Sequence, residues 1–177
     1  MTVNIKGLDI NYICEGQGDT ILLLHGWGSN ITLFQSAIDL LKTKYRVIAM
    51  DMPGFGESEE PKEPWDVDNY VDFVLEFLKD YAPSKITVLG HSFGGRVIIK
   101  MANRKDLPFT VTKIILVDSA GIKPVKTAEQ LQKEKVLKLG KKLLSATPKL
   151  MEKMQSKVGS ADYKAASPLM KKILINV

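Results

Sequence analysis

Gly90-His91-Ser92-Phe93-Gly94-Gly95 stands between the apolar run Lys85-Ile86-Thr87-Val88-Leu89 and the stretch Arg96-Val97-Ile98-Ile99-Lys100-Met101-Ala102. The order is strand, sharp turn, helix. A serine at the apex of such a turn is held in a strained backbone conformation with its hydroxyl displayed over the sheet edge, and flanking glycines let strand and helix pass closely. Gly90 and Gly94 occupy those flanking positions, which makes Ser92 the candidate nucleophile.

Working outward, Val3–Lys6 and Leu8–Cys14 alternate around Gly7 and predict an antiparallel hairpin. Thr20-Ile21-Leu22-Leu23-Leu24 is a continuous apolar run suited to a parallel strand buried on both faces. It ends in His25-Gly26-Trp27-Gly28-Ser29-Asn30, whose glycines let the backbone bend so that the Trp27 amide can face a ligand. A helix bearing Phe34, Ile38 and Leu41 follows, capped by Asn30 or Ser29. Tyr45–Met50 reads as the next strand, closed by Asp51-Met52-Pro53-Gly54-Phe55-Gly56-Glu57-Ser58, in which Asp51 is expected to order the loop by accepting backbone N–H bonds. A helix capped by Asp66 or Asp68 then presents Val71, Val74, Leu75, Leu78 and Tyr81 on one face. Downstream of the quoted stretch, Val111–Val117 reads as a further buried strand ending at Asp118-Ser119-Ala120-Gly121.

Strands alternating with helices predict an α/β fold, a mostly parallel sheet with helices on both faces. After Gly121 only helical patterns remain: Val136, Leu137, Gly140, Leu143 and Leu144 on one, Leu150, Met151 and Met154 on the next, and a last one opening at Ser167-Pro168. The charge divides at the same place. Residues 1–121 carry 12 basic and 16 acidic side chains, and residues 122–177 carry 13 lysines against 4 acids. With no arginine and one aromatic, Tyr163, the second part suits a solvated helical surface better than a nucleic-acid face. No apolar segment reaches the roughly 20 residues of a membrane span, and no secretory signal is legible, so a cytoplasmic protein is expected. Lys133–Leu144 as a basic amphipathic membrane helix is the weaker alternative, because Gly140 interrupts it. The single cysteine, Cys14, is expected to be a packed thiol, and two histidines and one cysteine far apart in sequence imply no metal or organic cofactor.

The hairpin, His25-Gly26-Trp27-Gly28, Asp51-Met52-Pro53-Gly54-Phe55-Gly56-Glu57-Ser58 and Gly90-His91-Ser92-Phe93-Gly94-Gly95, in this order, resemble the N-terminal two-thirds of an α/β-hydrolase-fold enzyme. The resemblance covers residues 1 to about 121 as an incomplete core and implies that 122–177 is part of a helical cap. It further implies that Ser92 forms an acyl-enzyme with a small-molecule ester-like substrate, a small or medium ester or a carbon–carbon bond flanked by carbonyls, that Trp27 and Phe93 offer backbone N–H groups as an oxyanion hole, and that the Trp27 ring, with His91, contacts substrate. Serine at the elbow, where epoxide hydrolases and haloalkane dehalogenases carry aspartate, points away from those activities.

The departures from the family pattern carry their own expectations. The triad of this family runs serine, acid, histidine, yet the only histidines are His25, expected to hold its loop, and His91, beside the serine. The usual acid is missing with the histidine, and Asp118 is the alternative acid. A serine without a base is a poor nucleophile, so residues 1–177 alone are expected to be inefficient as a hydrolase. The strand over 111–117 is expected to leave an open apolar edge that recruits a missing C-terminal segment or a second copy. A non-catalytic binding protein on a hydrolase scaffold is the competing reading.

Overall fold

The structure, a computed structural model, describes residues 1–81, 83–122, 127, 132 and 166–177. The chain divides into two units, Met1–Ile122 with Ser167–Val177, and Lys123–Ala166. Only the first is described below. Ser167–Val177, read from the sequence with the stretch 122–177, thus groups with residues 1–122. The helices expected between Val136 and Met154 lie outside the described residues.

Strands β1 (Thr2–Ile5) and β2 (Leu8–Glu15) form the expected hairpin, with Ile5 opposite Leu8. The intervening Lys6 and Gly7 both have positive φ, the conformation that a two-residue turn needs to match strand twist. β2 pairs antiparallel with β4 (Arg46–Met50), and from there β3 (Thr20–Leu24), β5 (Lys85–His91) and β6 (Thr110–Val117) add in parallel. The order is β1-β2-β4-β3-β5-β6. All five residues of β3 are buried, as an uninterrupted apolar run predicts for a central parallel strand.

β6 is the edge of this sheet, as the open apolar edge expected over 111–117 requires, and not the buried strand that its apolar run alone suggests: Ile114, Ile115 and Val117 are each between 42% and 46% exposed. Register places Leu89 opposite Ile115 and His91 opposite Val117, after an irregularity at Ile86/Thr87 that accommodates one extra residue in β6.

Helix α1 (Gln35–Leu41) follows a 3-10 turn over Ile31–Phe34, where the Asn30 Oδ1 accepts from the Thr32 N–H at 2.9 Å and so acts as the cap. Ile31, Phe34 and Ile38 bury against Ile21, Leu23, Val47 and Ala49, with Leu89 packed alongside. Successive strand residues point to opposite faces, so Leu22, Leu24, Val88 and Gly90 look the other way, toward α3 (Phe93–Ala102). Helix α2 (Val67–Leu78) contacts α3 and is closed at its start by a reciprocal cap: Asn69 N donates to Asp66 Oδ1 at 3.0 Å, and Asp66 N donates to Asn69 Oδ1 at 2.8 Å. Its buried stripe is broader than the one read from sequence, adding Tyr70, Phe73 and Phe77, while Tyr81 falls in a 3-10 turn beyond the helix. Lys100 and Arg104 of the α3 region pair with Asp68 and Asp72 at 2.8–3.1 Å, exposed contacts of small energetic weight. The last helix, α4 (Pro168–Asn176), starts as predicted, with Ser167 Oγ accepting from Met170 N and proline in its first turn. Among the described residues no helix is long and apolar enough to cross a membrane.

The passage of α3 over β5 and the end of β3 is close enough to dictate side-chain size. A Cβ on Gly90 would lie 2.6 Å from Gly95 Cα, and one on Gly94 would run into the carbonyl oxygens of Leu24 and His25. Gly94→Ala is therefore expected to lower unfolding stability by about 1–3 kcal/mol, the usual cost of overpacking, measured by urea denaturation. An unchanged midpoint would refute the close crossing.

Candidate active site

Ser92 joins β5 to α3 at φ 48° and ψ −111°, in the left-handed half of backbone space that a serine rarely enters. Hydrogen bonds with β6, with α3 and with the loop after β6 hold it there. Its N–H donates to the Val117 carbonyl of β6 at 3.1 Å, and its carbonyl accepts from Gly95 N, Arg96 N and Ala120 N at 3.0–3.3 Å. Strain that the surroundings over-determine in this way clusters at functional positions. The neighbouring Asp118, exposed at the carboxyl end of β6, also has positive φ, 43°.

The loop after β3 lies directly on this turn. A Cβ at Gly26 would sit 2.8 Å from His91 Nδ1 and 3.1 Å from Ser92 Cβ, so only glycine lets the loop approach this far. The next residue is Trp27. Among the described residues no group accepts from the N–H of Trp27 or of Phe93. Phe93 opens α3, where first-turn N–H groups lack helical partners and the helix dipole favours negative charge.

His25 is completely buried, and its protonation is legible from its partners. The Met52 N–H donates to His25 Nε2 at 2.9 Å, so that nitrogen carries the lone pair; the proton sits on Nδ1 and is donated to the Gly26 carbonyl at 2.7 Å. The ring links the loop after β3 to the loop after β4, which is the loop-holding role read from sequence. Burial holds its pKa below the ordinary histidine value.

Asp51, 2% exposed, organises the same two loops. Its Oδ1 accepts from Ile31 N at 2.7 Å, and its Oδ2 accepts from Asn11 Nδ2 at 2.9 Å and Glu57 N at 3.0 Å. The ordering reaches beyond its own turn to β2 and to the start of the 3-10 turn. Ser58 Oγ, which donates to the Asp51 carbonyl at 2.6 Å, accepts from Asn11 N in turn.

Aromatic rings form the adjoining wall. Trp27 meets Phe55 edge-on at 4.8 Å between centroids and Phe93 at 5.6 Å; Tyr70 meets Phe93 at 5.0 Å and donates its hydroxyl to the Pro53 carbonyl at 3.0 Å. Burial drives the Tyr70 pKa upward, which keeps that phenol protonated and donating. No sequence pattern marks Phe55 or Tyr70, which meet Trp27 and Phe93 respectively only through tertiary contact. α4 rests on the same loop: Met170 packs against Gly54, Ser167 Oγ donates to Glu60 Oε2 at 2.9 Å, and Asn176 Nδ2 reaches the Trp65 carbonyl.

Of the residues expected from sequence, Ser92, Phe93, His91 and Trp27 come together, and Asp118 lies at the end of the strand that binds the Ser92 N–H. His91 turns Nδ1 beneath Gly26, buried and without a hydrogen-bond partner among the described residues. Among those residues no three His, Cys, Asp or Glu side chains gather to hold a metal ion.

The sequence profile of the alpha/beta hydrolase fold matches residues 19–155. The chain belongs to that family. It is 36% identical over 106 residues to a pimeloyl-[acyl-carrier protein] methyl ester esterase of Photobacterium profundum, covering 60% of this chain and 39% of the esterase. It is 30% identical over 125 residues to a 2-hydroxy-6-oxo-6-(2'-aminophenyl)hexa-2,4-dienoic acid hydrolase of Metapseudomonas resinovorans, covering 68% of this chain and 42% of that hydrolase. Among solved structures, a bacterial membrane phospholipase A superposes with a TM-score of 0.66 at 29% identity, over 76% of this chain and 44% of the phospholipase. The chain thus spans about two-fifths of the length of these relatives.

The buried, neutral His25 makes stability depend on pH. The unfolded chain takes up a proton near the ordinary histidine pKa of about 6.5, whereas the folded state resists it, so stability is full above that value and falls as pH drops below it. The urea midpoint is expected to fall between about pH 7 and pH 5, a window above most carboxylate titration, and His25→Gln is expected to flatten the fall. A wild-type midpoint constant over that window would contradict the assignment.

Proposed function

We propose that this chain carries the nucleophile part of a serine hydrolase that acts on an ester or related carbonyl substrate. The carrying observation is Ser92 itself, fixed at positive φ at the start of α3. In this reading Ser92 Oγ attacks the carbonyl carbon and gives up its proton to a base. The tetrahedral oxyanion is received by the Trp27 and Phe93 N–H groups, the leaving group departs with a proton, and water hydrolyses the acyl-enzyme. Those two amides are unclaimed among the described residues, which supports the role. Each such donor contributes roughly 100- to 1000-fold in rate. The half-buried Trp27, with Phe55 and Phe93, offers an apolar wall for the acyl group, and relatives named as an ester esterase and a dienoic acid hydrolase favour carbonyl substrates.

The base is the missing part. Both ring nitrogens of His25 are engaged, and His91 Nδ1 is buried under Gly26. The reading therefore assigns the base to polypeptide other than residues 1–177, with Asp118 as the acid that orients it. A second reading, a non-catalytic binding scaffold, is favoured by the same facts: His25 is committed at both nitrogens and His91 Nδ1 is buried under Gly26.

An external base separates the two. The purified chain is treated with a fluorophosphonate at rising imidazole concentration, with intact mass as the readout. Imidazole accepts the Ser92 proton as Oγ displaces fluoride from phosphorus. One added organophosphoryl group, formed faster with more imidazole and absent in Ser92→Ala, is the expected result. No labelling of the folded chain at any imidazole concentration overturns the hydrolase reading and leaves the scaffold.

A further inference from the structure

Among the described residues one buried side-chain nitrogen or oxygen has no hydrogen-bond partner, Nδ1 of His91. Such atoms are rare in folded proteins, and this one lies at the most crowded point of the site. A Cβ on Gly26 would stand 2.8 Å from it, so the Gly26 Cα hydrogen on that side faces it from the loop above. Ser92 Cβ is 3.1 Å from the same position. The loop after β3 thus rests on the Ser92 turn through one glycine hydrogen, one ring nitrogen and one β-carbon.

What sits on that nitrogen decides how close the loop can come. With a proton on Nδ1, an N–H donor would be buried without an acceptor and would meet the Gly26 hydrogen head-on. A bare Nδ1 turns a lone pair to that hydrogen, a weak attraction of the Cα–H type. Folded proteins also leave buried acceptors short of a partner more readily than buried donors. The ring has another place for its proton. His91 is only partly buried, and its Nε2 is neither closed off from solvent nor paired, so an N–H there reaches water. The two histidines of the chain therefore carry their protons on opposite nitrogens, His25 on Nδ1 and His91 on Nε2.

We propose that His91 is a positioning residue for the loop after β3: fixed as the Nε2–H tautomer, it turns a hydrogen-free nitrogen to Gly26, which lets the loop settle on the Ser92 turn and carry the Trp27 amide to it. A hydrogen-bearing atom in place of Nδ1 lifts Gly26, and Trp27 moves with it. The placement of the loop follows from packing alone; its effect on reaction rests on the oxyanion role proposed for the Trp27 amide.

The tautomer is read first, by NMR of the full chain labelled with 15N-histidine at about pH 8, where free imidazole is neutral. The signals that vanish in His91→Asn belong to His91. A bare Nδ1 with a protonated Nε2 is expected; a proton on Nδ1, or a mixture of tautomers, overturns the proposal. Asparagine and leucine then separate the lone pair from bulk, because both branch at the same carbon and place either a hydrogen-free oxygen or a methyl where Nδ1 stands. Trp27 emission is followed in a Trp65→Phe background that leaves it the only tryptophan. A red shift is expected in His91→Leu and not in His91→Asn. In fluorophosphonate labelling of Ser92 at fixed imidazole, His91→Leu is expected to react about 100-fold more slowly than His91→Asn, as loss of one oxyanion donor does. Circular dichroism checks that both variants fold; should His91→Leu not fold, the tautomer in the parent decides. Equal emission or equal labelling in the two variants overturns the proposal. If the parent takes no label at any imidazole concentration, the hydrolase reading falls by itself, and tautomer and emission decide this one.

Discussion

A serine held at positive φ costs on the order of 1–3 kcal/mol, and much of the first unit is arranged so that Ser92 has nowhere else to go. Its carbonyl is shared by the first turn of α3 and by Ala120 beyond β6, and its N–H is taken by Val117. β5, α3 and β6 therefore meet at one residue. The glycines around it are the steric condition for that meeting, since a side chain at Gly90 would separate strand from helix and one at Gly26 would lift the neighbouring loop off the turn.

The loops beside the turn are tied by buried polar groups rather than by packing alone. His25 joins the ends of β3 and β4 through one accepted and one donated hydrogen bond, and Asp51 adds β2 and the Ile31–Phe34 turn. Neither group is spare. A neutral imidazole with both nitrogens committed and a carboxylate with both oxygens committed are rigid connectors, so the loop that carries Trp27 takes its position from this network.

Patterns local in sequence were readable in advance: the hairpin from alternation around Gly7, β3 from its unbroken apolar run, the Ser92 turn from flanking glycines, and the Ser167-Pro168 start of α4 from cap chemistry. What depended on neighbours in space was not. Ile114, Ile115 and Val117 are as apolar as the residues of β3, so their own pattern reads as a buried strand, and the open edge expected at 111–117 came only from the strand order that the family resemblance implies. The ring cluster of Trp27, Phe55, Phe93 and Tyr70 draws on four separate segments, and no periodicity links them. Charge composition separated 122–177 from the rest, yet α4 joins residues 1–122 because Met170 and Ile173 are buried there, with Met170 against Gly54.

That return of the chain shapes how the protein can change over generations. Residues 123–166 leave from Ile122 and come back at Ser167, two points belonging to a single unit. Where both ends of an intervening stretch are fixed in one unit, doubling its length adds only about 0.6 kcal/mol of closure entropy. A change of length between Ile122 and Ser167 is therefore cheap for the sheet, and descendants can vary 123–166 widely while the turn at Ser92 is inherited almost unaltered.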